Sequence, residues 1–155
     1  MELIFRPVSA AEKTSVEQLI KSAQIPQARQ MGLEIMSADM HWLDEAIACG
    51  RVYAGLIDNE MIGAAVTRLN DGNNLFIDHM AVLPGNQGRG FGSWMLSCIE
   101  ATARNEKCTK ISFKTAAMMS ELLHLGSRFG FQETHRALTQ DIGNPHAQVY
   151  MEKVL

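Results

Sequence analysis

Residues 77–103, IDHMAVLPGNQGRGFGSWMLSCIEATA, decide how the rest of the chain is read. Residues 77–83 form an apolar run interrupted only by Asp78 and His79, a pattern that suits a largely buried strand. Pro84 ends it. Gly85, Gly88, Gly90 and Gly92 crowd the turn that follows, where a missing Cβ permits positive φ and lets backbone N–H groups approach a ligand. Beyond the turn, Phe91, Trp94, Met95, Cys98, Ile99, Thr102 and Ala103 recur at helical spacing on one stripe, with Glu100 and Arg104 off it. The order is strand, glycine-rich turn, helix. Free amides at the positive end of a helix dipole make a generic phosphate or pyrophosphate site.

Two nucleotide motifs fail on this turn. A P-loop ends in Gly-Lys-Ser/Thr, and Gly90-Phe91-Gly92-Ser93 carries no lysine. The dinucleotide pattern G-x-G-x-x-G is completed neither from Gly88, which meets Ser93, nor from Gly90, which meets Met95. What residues 87–92 spell is Q-x-x-G-x-G, after a strand that ends in Val-x-Pro. This resembles the acetyl-CoA pyrophosphate loop of the GNAT superfamily, the GCN5-related N-acetyltransferases. Gly130-Phe131 at the expected distance and a last strand containing Val149-Tyr150-Met151-Glu152-Lys153 extend the resemblance over nearly the whole chain.

The chain has 155 residues, 46% of them apolar, enough for one domain spanning residues 1–155 with a real core and no linker. No apolar segment is long enough to span a membrane, and the start MELIFR lacks the basic and apolar regions of a signal peptide, so a cytoplasmic location is expected. Cys49, Cys98 and Cys108 form an odd set without C-x-x-C; neither a disulfide framework nor a metal site is expected, and the three are read as buried thiols. The net charge of −3, with basic residues scattered, argues against nucleic acid as a partner.

Outward from the loop, residues 2–6 read as a strand and Ser9-Ala10-Ala11-Glu12 as a capping box. A helix follows with Val16, Leu19, Ile20 and Ala23 inward, and Ile25-Pro26 is expected to close it, because the residue before proline disfavours the helical region. Residues 27–35 read as irregular. A second helix is expected from an N-cap at Ser37 to Cys49-Gly50, with Met40, Leu43 and Ile47 inward. Residues 51–58 and 61–69 form a hairpin, residues 70–74 a second turn, residues 110–114 a strand, residues 118–128 a helix ended by Gly130, and residues 131–139 and 148–155 the last strands. Hairpins alternating with helical crossovers give an α/β fold, a central mixed twisted sheet with helices on both faces. The resemblance implies the same GNAT acyltransferase architecture.

The resemblance also implies a site. The strand of residues 75–83 would splay from that of residues 110–114, and the pantetheine arm of acetyl-CoA would lie in the gap against backbone groups of Met80, Ala81 and Val82. Backbone groups of Gln87, Gly88, Arg89, Gly90, Phe91 and Gly92 would hold the pyrophosphate, with the Arg89 side chain a further donor to phosphate, and an N–H near Met80 or Ala81 would hold the oxyanion. The implied activity is direct acetyl transfer to a primary amine of a small molecule, peptide or protein; a non-catalytic acetyl-CoA sensor or partner subunit is the alternative, and a homodimer one expected assembly. No metal is called for.

An amine with pKa near 10.4 costs about 4–5 kcal/mol to deprotonate at pH 7, whereas a thiol leaves near pKa 8.5, so the base matters more than the acid. Asp78 and His79, ionisable in an apolar strand, are the candidates, and the resemblance favours Asp78, since many GNAT proteins carry a carboxylate close to that position. Strand alternation would send them to opposite faces, so that one at most meets the thioester; each also has a purely structural reading as a hydrogen-bonded strand residue. Asp39, Asp44 and Glu45 could attract an amine or form a solvated helix face. Against the family pattern N-x-x-A-x-x-L-Y-x-x-x-G-F, only Leu125, Gly130 and Phe131 match; Met119 stands at the Asn, Leu122 at the Ala and Gly126 at the Tyr that commonly protonates the leaving thiolate. Ser127, His124 or Tyr150 could replace it only where geometry allows.

Overall fold

A computed structural model describes residues 1–30, 40–116, 120–139 and 146–155. They build a seven-stranded sheet in the order β1-β2-β3-β4-β5-β7-β6. The strands are β1 (Leu3–Pro7), β2 (Val52–Ile57), β3 (Glu60–Asn70), β4 (Asn74–Val82), β5 (Lys110–Ala116), β6 (Gln132–Thr139) and β7 (His146–Val154). All neighbours run antiparallel except β4 and β5, which are parallel. The sheet is mixed because hairpins make the antiparallel pairs while helix α3 (Phe91–Asn105) carries the chain across from β4 to β5.

Each face of the sheet is closed by its own apolar layer. On one side α1 (Lys13–Gln30) and α2 (Trp42–Ala48) pack Val16, Leu19, Ile20, Leu43 and Ile47 onto Val52, Val66 and Ala81. On the other, α3 and α4 (Ser120–Arg128) cover Leu75, Ile77, Ile111, Phe113, Val149 and Met151. The α3 stripe is as its spacing predicts at Phe91, Met95, Ile99 and Ala103, with Leu96 also buried, while Trp94 and Cys98 are half-buried. Gly55 and Gly63, paired across β2 and β3, let α3 come close: a Cβ on Gly63 would lie 2.6 Å from Met95 Sδ and 3.1 Å from the Ala81 carbonyl oxygen.

Turn chemistry follows the sequence closely. Asp58 and Asn59 take positive φ, 48° and 69°, in a two-residue hairpin, and Asn73 does so at 59° before β4. The capping box forms, with the Ser9 N–H donating to Glu12 Oε1 at 2.9 Å. Arg6 also binds Glu12 through two nitrogens and holds its carboxyl down at about 2.

Three expectations are corrected. Proline 26 does not close the first helix, which runs on to Gln30. One missing N–H and a crowded carbonyl cost about 3 kcal/mol, and a helix packed on β3 and β4 is held by tertiary contact that offsets a local break. The cysteines are not uniformly buried: Cys108 is buried, Cys98 half-buried and Cys49 exposed at the end of α2. The second helix, expected to run from Ser37 through Met40, begins at Trp42 with His41 as its N-cap. The N-cap expected at Ser37, and residues 31–35 and 118–119, lie outside the described residues.

At the start of the parallel pair, Asn74 and Ser112 face each other across β4 and β5, both buried. Asn74 Nδ2 donates to Ser112 Oγ at 2.9 Å, and Ser112 Oγ donates to Asn74 Oδ1 at 3.0 Å. Ser112→Ala strands a buried amide and is expected to lower unfolding free energy by about 1–3 kcal/mol, read from the urea midpoint. An unchanged midpoint would mean the pair does not lock the register.

Candidate active site

β4 and β5 are paired only from Asn74↔Lys110 to Ile77↔Phe113. Beyond that point β4 runs on through Val82 beside β3, and β5 through Ala116 beside β7, so the two diverge. The opening holds a cavity of about 150 Å³, whose walls include Ile77, Asp78, His79, Met80 and Ala81 from β4, Lys114 and Thr115 from β5, Ile20 from α1, and Leu122, Leu125 and Gly126 from α4. Sharing Ala23, Met80, Ala81, Leu122 and Leu125 with it, a groove of about 490 Å³ continues past Val82 to Gln87, Gly88, Gly90, Gly92 and Ser93. One cleft thus joins the splayed strands to the glycine loop.

The loop is built to present backbone. Residues 84–86 form a 3-10 turn, and the Gln87 side chain donates from Nε2 to the Val82 carbonyl at 2.9 Å, tying the loop to the end of β4. Gly88 and Gly90 have φ of 76° and 84°, with open space where a Cβ would stand. Gly90 is the N-cap of α3 and brings no side chain to its first-turn amides. Phe91 is buried, so its ring leaves the groove side to main chain. These are the conditions for an anion at a helix N-terminus.

The Arg89 side chain is exposed and is not among the groove walls; Arg128, in the last turn of α4, is. Sequence reading passed over Arg128. Its only local signal is a cation two residues before Gly130, which says nothing of the groove opposite.

A β-bulge sets the two ionisable residues. Val66 pairs with His79 and Thr67 with Ile77, which leaves Asp78 as the extra residue on β4. Alternation is broken there. Ile77, Met80 and Val82 belong to the α3 layer, while Ala81 belongs to the α1 and α2 layer. Asp78 accepts from Arg68 Nε at 2.9 Å, the same guanidinium lying 4.5 Å over the Phe76 ring, and His79 stacks on Trp42 of α2 at 5.1 Å. Both side chains therefore lie on the face of α1 and α2, correcting the expectation of opposite faces. Burial pulls the His79 imidazole below its ordinary value of 6.5, and the Asp78 carboxylate opposes that shift.

The position of the missing tyrosine is filled. Gly126 is buried, and a Cβ there would stand 2.9 Å from Phe113 Cζ and 3.3 Å from its Cε1. Phe113, packed edge-on against Phe131 at 5.1 Å, takes the space. Of the substitutes considered, His124 and Ser127 are exposed on α4 and Tyr150 stacks on His135 at 4.0 Å; none is among the cleft walls. Asp44 is exposed and bonded to Lys13 at 3.0 Å, and Asp39 lies outside the described residues. Among the described residues no group of three or more His, Cys, Asp or Glu could hold a metal ion, and no helix is long and apolar enough to cross a membrane.

A model of the acetyltransferase (GNAT) family matches residues 18–131. No match was found among curated proteins. Solved structures share the fold over nearly the full length. A chain of the NatC complex bound to Gag peptide and CoA superposes with a TM-score of 0.81 at 16% identity, covering 100% of this chain and 99% of that one. A polyamine N-acetyltransferase of Drosophila melanogaster that catalyses the formation of N-acetylagmatine gives 0.79 at 13%, with 99% and 100% covered. A GNAT family acetyltransferase of Elizabethkingia anophelis with acetyl-CoA bound gives 0.75 at 20%, with 99% and 98% covered. At these identities the likeness is one of fold.

Proposed function

The chain belongs to the acetyltransferase (GNAT) family, and from that premise we propose that it transfers an acetyl group from acetyl-CoA directly to a primary amine of a small molecule, peptide or protein. The observation that carries this reading is the single cleft running from the β4–β5 splay to the first turn of α3. Its residues fit the co-substrate in kind. The part of the cleft walled by Met80, Ala81, Leu122 and Leu125 offers apolar contact to a pantetheine arm, and the glycine loop with bare amides suits a pyrophosphate. Gly88, Gly90, Gly92 and the main chain of Gln87, Arg89 and Phe91 would hold the phosphates, and main-chain groups of Met80, Ala81 and Val82 the arm.

Bound acetyl-CoA supplies the thioester carbonyl, whose C–S bond is exchanged for a C–N bond to the amine. His79 is the residue we assign to take the ammonium proton, on an imidazole nitrogen kept neutral near pH 7 by burial. Asp78, fixed by Arg68, would favour the imidazolium once it forms. A backbone N–H at Met80 or Ala81 would stabilise the oxyanion, worth about 3 kcal/mol if aimed at the transition state. With Gly126 walled by Phe113, no α4 side chain stands where the family's tyrosine does, and the thiolate, near pKa 8.5, takes up through solvent the second proton that the attacking nitrogen sheds as the C–N bond forms.

Calorimetry with acetyl-CoA, followed by an amine panel with thiol release as readout, tests the reading. Binding with release establishes transfer; saturable binding without release across small amines, peptides and protein termini favours the sensor alternative, and no binding removes the reading. Restoring the tyrosine should not help. Gly126→Tyr is expected to lose about 1–3 kcal/mol of stability through overpacking against Phe113, with no gain in kcat; a faster, equally stable variant would show that the space can open.

A further inference from the structure

Trp42 is placed where neither helix formation nor core packing accounts for it. It opens α2 and remains 44% exposed, while Leu43 and Ile47 anchor that helix in the core. Its ring lies on the His79 imidazole, centroids 5.1 Å apart and planes 17° from parallel. The bulge at Asp78 makes such a support useful. It lifts this part of β4 out of regular pairing, and the torsion that orients an imidazole is intrinsically broad. A flat ring delivered by α2, which is tied to α1 by the Lys13–Asp44 ion pair, restricts that torsion from outside the strand.

We propose that Trp42 is a positioning residue, holding the plane of the His79 ring for removal of the acceptor's proton. The proposal rests on the assignment of His79 as proton acceptor. Geometry of this kind is costly to lose, because small misplacements of a reacting group cut rates steeply. It also separates shape from bulk: an aromatic ring can stack, and an aliphatic side chain of similar volume cannot.

The test uses the full chain with acetyl-CoA and an amine found active in the panel. Trp42→Ala is expected to lower kcat about tenfold or more with the acetyl-CoA Kd unchanged. Trp42→Phe should stay within about threefold of the original and Trp42→Leu should not, since only the first keeps a stacking face. In a His79→Gln background, Trp42→Ala should cost nothing further. In the ligand-free protein the His79 ring protons should carry a ring-current shift that Phe preserves and Ala removes. Active wild-type protein with an unimpaired Trp42→Ala variant, Leu rescuing as well as Phe, or an undiminished loss without His79 would each overturn the proposal alone. Binding of acetyl-CoA with no thiol release for any amine would overturn it together with the functional reading.

Discussion

Gly90→Glu is expected to abolish acetyl-CoA binding, raising Kd more than about 100-fold, while the protein still folds. Gly90 sits at φ 84° as the N-cap of α3, with nothing within 4 Å of the place a Cβ would take. A side chain there meets no steric wall. It pays a left-handed backbone penalty of about 1–2 kcal/mol, partly offset by a carboxylate at the positive end of the helix. The same carboxylate lies where the loop amides face an anion, and two charges about 4 Å apart at an effective dielectric of 20 repel by about 4 kcal/mol. Gly90→Ala separates the two effects, since it keeps the backbone strain and adds no charge. Calorimetry should show modest weakening for Ala and none of the original binding for Glu; equal, near-original affinity in both would remove the loop from the site.

His79→Gln should lower kcat by about 10²–10⁴ and leave acetyl-CoA affinity unchanged. Glutamine keeps a similar size and hydrogen-bonding character and cannot take the proton. The pH dependence supplies the sign. Burial lowers the His79 pKa in the free enzyme, so the acid limb of the kcat/KM profile should have its midpoint below 6.5, with activity lost on the acid side, and the limb should disappear in the variant. Stability should follow the same direction. A folded-state pKa depressed below the unfolded value means stability is full above 6.5 and declines as pH falls through the folded pKa, because the unfolded chain binds the proton more readily. A variant with intact kcat and an unchanged acid limb would transfer the role away from His79, and Asp78→Asn is the substitution that would then carry the loss.

Much of the fold was readable from local pattern. Asp58-Asn59 specified a hairpin because both residues tolerate positive φ, and the α3 stripe announced its buried face through Phe91, Met95 and Ile99. The glycine loop could be recognised for a similar reason: its chemistry is main-chain chemistry, and glycine reports main-chain freedom directly. Pro26 was misread by the same local logic, since the packing of α1 on β3 and β4 outweighs one unfavourable residue. Arg128 was missed because the groove it lines is shared between α4 and a loop some 40 residues away in sequence.

By itself the sequence determined the strand, loop and helix of residues 77–103, the mixed sheet with helices on both faces, and the absence of the family's tyrosine at Gly126, all properties carried by neighbours in the chain. The tertiary structure alone decided that Asp78 and His79 share a face, that Phe113 occupies the tyrosine's space, and that Trp42 lies on the His79 ring. The reason is physical. A bulge is a mismatch between two strands, and a stack or a clash is a distance between side chains that only packing brings together, so neither is written in the periodicity of one segment.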